Sequence, residues 1–271
     1  MNQTEGVYMT TEDIIISIFI EIDDSIPEIK KHPQAKLYPS ELLTIGVLMA
    51  LKGTSFRAFY RWLKRDYDQL FAGLPERSRL QRLLKNQQDL VNHLLSKPSF
   101  FSVIDSYPIE LIFPIREGRS QKQIGKKSKD KGRWSVGIKL CWLINEEGKV
   151  VAWDFDTMNS PDKLFNTITE AFEGETIVLA DYGFRDKDIE AIPKHIKFCP
   201  QGSWNERMHI ETAFSMITNI CNFKKLKHRV WEYVQARLAY VAAMFNVLLS
   251  LFHKIHPNAR PFQMSIAEFS L

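Results

Sequence analysis

The spacing of apolar positions changes character near residue 98 of the chain. Before it, apolar side chains recur at helical spacing, punctuated by residues that cap helices. Thr10 and Thr11 precede Glu12 and an apolar run over 14–22. After a break at 27–39, Ser40 is placed to cap a helix over 41–51 and Gly53 to end it; Thr54 or Ser55 then starts another through Phe59 and Leu63. That tight spacing resembles a helix-turn-helix. A further helix over 77–96 puts Leu80, Leu83, Leu84, Val91, Leu94 and Leu95 near one face, with Arg79, Arg82 and Lys85 largely elsewhere. Residues 1–98 are therefore expected to form an all-α region whose basic face is available to phosphates.

After Lys97 and Pro98 the pattern turns to short apolar runs with β-branched and aromatic residues. It predicts strands over 101–105, 134–145, 149–156 and 176–180, and a weaker one over 196–199. The turn Glu146-Glu147-Gly148 makes a hairpin of the middle pair. Helices are expected over 162–172, 186–192 and 205–220. The order strand, hairpin, helix, strand, helix, strand, helix resembles the ribonuclease H-like fold. Residues 99–271 are thus expected to be an α/β domain with a mixed sheet and flanking helices.

Composition narrows the class. The chain has 271 residues, 45% of them hydrophobic, with 12 Gly and 12 Pro, which is ordinary for a folded globular protein. A formal charge of +4 is compatible with a nucleic-acid partner without requiring one. Cys141, Cys199 and Cys221 form no Cys-x-x-Cys pair, so neither a disulfide framework nor a cysteine zinc site is indicated, and a reducing cytoplasm fits. The apolar stretch over 238–252, interrupted by Asn246 and Ser250, is shorter than the roughly twenty residues of a membrane span and reads as a buried helix. The N-terminal run follows Glu12 and Asp13 rather than a basic segment, so no signal peptide and no membrane partner are expected. There is no P-loop, and no nucleoside triphosphate is implied.

Three carboxylates stand where chemistry is expected. Asp105 ends Phe-Phe-Ser-Val-Ile and Asp181 ends Thr-Ile-Val-Leu-Ala, so each emerges from a buried strand. Glu211 lies on the 205–220 helix, whose Ile210, Phe214 and Ile217 offer an apolar face. Phosphodiester chemistry uses such a cluster because two divalent ions stabilise both the attacking and the leaving oxygen. Carboxylates supply the hard oxygen ligands that Mg²⁺ or Mn²⁺ prefers. Asp154 and Asp156 alternate with Trp153 and Phe155 near a strand end and read as solvent-facing, while Asp162, after Ser160 and Pro161, reads as a helix cap. His209 and His228 are not read as metal ligands.

These residues resemble the DDE transposases of bacterial insertion sequences over most of the chain. The resemblance is carried by Ile104-Asp105-Ser106 with Pro108, by Ala180-Asp181-Tyr182-Gly183-Phe184, by Arg207 ahead of Glu211, and by Leu226-Lys227-His228-Arg229 before the last apolar helix. It implies catalytic and metal-binding roles for Asp105, Asp181 and Glu211, with Arg207 as the basic residue of the glutamate helix. It further implies a homodimer that brings two DNA ends together. Where the family often carries Tyr and Lys on that helix, this chain has Trp204 and Thr218; Lys224 or Lys225 is a candidate substitute for the lysine.

Two basic clusters extend the expectation to DNA. The segment 116–133 holds Arg116, Arg119, Lys122, Lys126, Lys127, Lys129, Lys131 and Arg133 against Glu117 and Asp130, and with Gly118, Gly125 and Gly132 it is expected to be a flexible loop tracking a phosphate backbone. Lys224, Lys225, Lys227 and Arg229 follow the glutamate helix. The expected activity is metal-dependent cleavage at the ends of an insertion sequence and strand transfer into target DNA. The alternatives are a nuclease of the same fold that cuts without joining, and a DNA-binding protein that has lost activity.

Overall fold

The computed structural model describes residues 9–130, 132–188, 190, 192–200, 207–228, 230–260 and 263–271. Its N-terminal third is helical. In α1 (Thr11–Ser25) the Thr10 hydroxyl accepts from the Asp13 N–H at 3.2 Å and the Asp13 carboxylate accepts from the Thr10 N–H at 3.0 Å, a reciprocal cap that satisfies donors the first turn leaves open. The cap of α2 (Pro39–Lys52) is Tyr38 rather than Ser40: Glu41 reaches back to the Tyr38 N–H at 2.6 Å and Ser40 is buried inside the first turn. Gly53 ends α2 in the left-handed conformation at φ 62°, and Ser55 caps α3 (Phe56–Asp66). The 117° bend between α2 and α3 is within the range of a helix-turn-helix.

The helix expected over 77–96 divides. Regular helix α4 (Arg77–Asn86) gives way to 3-10 turns over Gln88–Leu94, where the three-residue spacing of Val91 and Leu94 suits a period of three and keeps both buried.

The second half is an α/β arrangement built on a mixed six-stranded sheet: β1 (Phe101–Ile112), β2 (Lys126–Asp130), β3 (Arg133–Asn145), β4 (Val150–Thr157), β5 (Ile177–Ala180) and β6 (Ile196–Phe198). β3 runs antiparallel to β1, and its other edge is shared by β2 along 133–137 and β4 along 138–144. β5 is parallel to β1, and β6 is parallel to β5. The hairpin expected at Glu146-Glu147-Gly148 is present, with Gly148 at φ 77°.

Four expectations are corrected. β1 continues past Asp105 to Ile112, because residues 106–112 keep pairing with β3 after β5 has departed; Pro108 falls where β5 no longer pairs with the strand. The basic segment is not all loop: 126–130 forms β2, paired from Lys126 opposite Gly137 to Asp130 opposite Arg133. Among the described residues of 186–192, positions 187, 188 and 192 form bends and 190 a turn rather than a helix, and 162–172 forms a 3-10 turn (Asp162–Asn166) and the short α5 (Thr167–Glu170).

Side chains of odd-numbered β1 residues, Val103, Ile109 and Leu111, face one large core that also contains α6 (Arg207–Asn219), α7 (Trp231–Ile255) and the N-terminal helices. The opposite face carries a smaller core of Ile104, Cys141, Leu143, Val151, Phe165 and Phe184. The large core therefore crosses the change of pattern at residue 98. α7 binds the two halves together: the Tyr240 hydroxyl donates to the Leu84 carbonyl at 2.9 Å, and Asn246 donates to the Leu94 carbonyl at 3.0 Å while accepting from the Val150 N–H at 2.7 Å. Buried Arg237 donates to the carbonyls of Met49 and Ala50 at the end of α2. By length and composition α7 could cross a membrane, which the shorter stretch in the sequence did not suggest, and 78% of its qualifying window is buried in this core.

Candidate functional site

Asp105 sits on β1 directly opposite Trp142 of β3, on the face shared with Val103 and Tyr107. The Ser106 N–H donates to its Oδ1 at 2.8 Å. Asp181 follows the last residue of β5 in extended conformation, at φ −82° and ψ 173°, and accepts from the Gly183 N–H at 2.8 Å. Continuing the β1–β5 register beyond its last pair, Val103 with Leu179, brings Asp105 and Asp181 to neighbouring positions on one face.

Glu211 comes from the helix that covers that face. Ile210, Phe214 and Ile217 anchor α6 in the large core, and Phe214 stacks on Tyr107 with ring centroids 5.3 Å apart and meets Trp142 at 5.2 Å. Glu211, Phe214, Ser215 and Thr218 follow helical spacing along one stripe, and all four line a cavity of about 710 Å³ whose opposite wall is Asp105, Ser106, Tyr107 and Pro108. Asp105 and Glu211 thus face one cavity, while Asp181 lies one strand over and is not part of its lining. Among the described residues, no three His, Cys, Asp or Glu side chains gather closely enough to hold a metal ion.

The rim is basic. Arg133 and Lys224 line the cavity, and Glu110 between them accepts from Arg133 at 2.9 Å and pairs with Lys225 at 3.5 Å. The backbone of 224–226 is tied to β1, the Glu110 N–H donating to the Lys224 carbonyl at 3.1 Å and the Leu226 N–H to the Glu110 carbonyl at 2.9 Å. The post-helix cluster is thereby fixed beside the β2–β3 arm, where Lys126, Lys127 and Lys129 are exposed and Lys127 and Lys129 stand 5.0 and 5.9 Å from the Trp134 ring. Lys227 is exposed on the same segment. Lys131, Trp204 and Arg229 lie outside the described residues, as does the side chain of Arg207, whose backbone opens α6.

One acid departs from its expected role. The turn that Asp162 begins has Pro161 at its N-cap and no side-chain capping bond. Asp162 Oδ1 instead accepts from the Ser106 hydroxyl at 2.6 Å and from Lys139 Nζ at 2.9 Å. Ser-Pro-Asp is a common helix start, whereas a contact to a strand 56 positions away leaves no local signature. Burial pushes the Cys141 thiol well above its ordinary value, and the negative neighbours Asp105, Asp162 and Asp154 push it further. Asp154 is itself raised by burial, with Asp156 adding to the effect, while Asp156 accepts from its own turn, the Thr157 N–H and the Ser160 hydroxyl.

Carboxylates beside a basic rim suit a phosphate-bearing substrate, since lysine and arginine neutralise phosphate while hard oxygen donors hold divalent cations. No protein-family model matches the chain, and no curated protein matches it significantly.

Proposed function

We propose that the protein is a transposase of the DDE type, cutting DNA at the ends of an insertion sequence and joining the freed end to target DNA. The observation that carries this reading is that the β1–β5 register, continued two residues past Val103 and Leu179, puts Asp105 and Asp181 on one face, with Glu211 on the helix packed over it. The strand arrangement supports it: β4, β3 and β1 antiparallel in succession, then β5 and β6 parallel to β1, with β2 as an added arm, is compatible with the ribonuclease H-like sheet expected from the sequence.

The donor set fits Mg²⁺ or Mn²⁺, since all three acids offer hard carboxylate oxygens. Asp105 and Asp181 would hold the cation from the sheet, and Glu211, which does not gather with them in this structure, would have to be drawn across the cavity to join them. When bound, divalent ions neutralise charge on the attacking and leaving oxygens of an in-line displacement at phosphorus. The chain's own contribution is positioning. The Ser106 and Gly183 N–H groups orient the two aspartates. Arg133 and Lys224 on the cavity rim take up the phosphate backbone, and Lys224, which lines the same cavity as Thr218, serves in place of the lysine that the family carries on the helix. The exposed Arg57 and Arg61 of α3, one turn apart in the helix-turn-helix, supply a separate surface for the DNA ends.

The test is a strand-transfer assay with the DNA that flanks the gene, in Mg²⁺ and in Mn²⁺. Wild type is expected to cleave and join, and Asp105→Asn to do neither while binding terminal DNA and folding normally. Cleavage without joining would make the protein a nuclease of the same fold. Activity in Asp105→Asn within a fewfold of wild type would move the catalytic centre elsewhere.

A further inference from the structure

Asp162 reaches the acid site from behind. Ser106, Lys139 and Cys141 belong to the sheet face opposite Asp105, and the 3-10 turn beginning at Asp162 packs on that face through Phe165. Its Oδ1 is held by the Ser106 hydroxyl and by Lys139, which also donates to the Ser160 carbonyl at 2.8 Å. Ser106 is the residue whose N–H orients Asp105, so one residue links the two acids.

The other oxygen of Asp162 lies beside the turn that follows the second aspartate. A Cβ built on Gly183 would stand 2.9 Å from Asp181 Oδ1 and 3.0 Å from Asp162 Oδ2, so both carboxylates border the same small space. The turn carrying Asp181 is further latched to the Asp162 turn by Asn166, which donates to the Phe184 carbonyl at 3.0 Å, and by Lys163, 2.9 Å from Asp186. Asp162 therefore touches the neighbours of both aspartates. Lys139 and Asp162 are 17% and 26% exposed, and charges so withdrawn from water act on one another strongly.

Resting on the reading of Asp105 and Asp181 as cation ligands, we propose that Asp162 is a positioning residue of that site: with Lys139 it forms a balanced charge pair that fixes Ser106 and the Gly183 turn, and so sets the affinity of the two aspartates for a divalent cation. Asp162→Asn keeps the shape and an acceptor for Ser106 but leaves the Lys139 ammonium uncompensated behind the aspartates. Lys139→Met does the reverse.

The experiment is Mn²⁺ titration of the full chain without DNA, with free Mn²⁺ read by electron paramagnetic resonance and the metal-free melting temperature recorded for each variant. Asp162→Asn is expected to weaken Mn²⁺ binding about tenfold, Lys139→Met to tighten it, and the double variant to return within about threefold of wild type. A simple packing role would not produce opposite signs that cancel. Asp162→Asn within about twofold of wild type, or a double variant as weak as Asp162→Asn, overturns the proposal. Should Asp162→Asn fail to fold, unchanged affinity in Lys139→Met overturns it. Asp105→Asn in the same titration separates the two readings: a fall in affinity there alone removes only the role of Asp162, whereas no Mn²⁺ binding by wild type removes both.

Discussion

Asp105 lies two residues beyond Val103, and Asp181 two beyond Leu179, and Val103 and Leu179 are the last partners in the β1–β5 register. The same register that joins the strands therefore aligns their acids. Since alternate residues of a strand share a face, both aspartates belong to the side on which α6 packs. Adjacent strands lie about 4.8 Å apart, a spacing at which two carboxylates repel unless a cation or a donor stands between them.

Gly183 gives a direct handle on that geometry. Its exposed position has no room for a methyl group between Asp181 Oδ1 and Asp162 Oδ2. Gly183→Ala is expected to displace Asp181 and reduce DNA cleavage at least tenfold, with the melting temperature moved by only about 3 °C because packing in both cores is untouched. Cleavage rates and thermal melts on the same preparation check both halves; near-normal cleavage would mean that Asp181 is not positioned by this turn.

The β2 arm offers a test on DNA. Neutralising Lys126, Lys127, Lys129 and Lys131 together should weaken DNA binding and flatten its salt dependence, the log-log slope falling by about 0.9 for each duplex phosphate that is no longer neutralised. The weakening should be equal on terminal and unrelated duplexes, because phosphate contacts position and base contacts specify. Lys127 already pairs with Glu117 at 3.4 Å, so its share is expected to be the smallest of the described three. An unchanged slope would leave the arm as a solvated edge.

His228 governs a pH window. Burial, with the nearby Arg237 charge adding to it, lowers its pKa from 6.5 to about 4, so the imidazole is neutral in the fold and takes up a proton more readily when the chain is unfolded. Its contribution is fully present above pH 6.5 and is lost as pH falls from there towards 4. His228→Gln is accordingly expected to narrow the difference between denaturation midpoints measured at about pH 7.5 and pH 5. An equal difference in the two proteins would free His228 of this role.

What the sequence disclosed followed from how local each feature is. The hairpin at Gly148, the ends of β5 and the apolar stripe of α6 are written in short-range pattern, and the structure has them. The extension of β1 to Ile112 was hidden because Asp-Ser-Tyr-Pro carries turn signals, and only pairing with β3 keeps it extended. β2 was hidden because its lysines have no apolar alternation; Trp134 and the β3 backbone order them. Asp162 was hidden for the same physical reason, since its partners Ser106 and Lys139 come from two other strands. Acids at strand ends are legible one by one, whereas the register that aligns them is a property of the folded sheet.

Whether Asp105, Asp181 and Glu211 share divalent cations is decided by anomalous diffraction from crystals of the protein soaked in Mn²⁺. An anomalous peak contacted by the Asp105 and Asp181 carboxylates is expected, with Glu211 drawn across the cavity towards it. Mn²⁺ bound elsewhere, or no peak between the aspartates at concentrations that saturate the protein in solution, would refute the shared site.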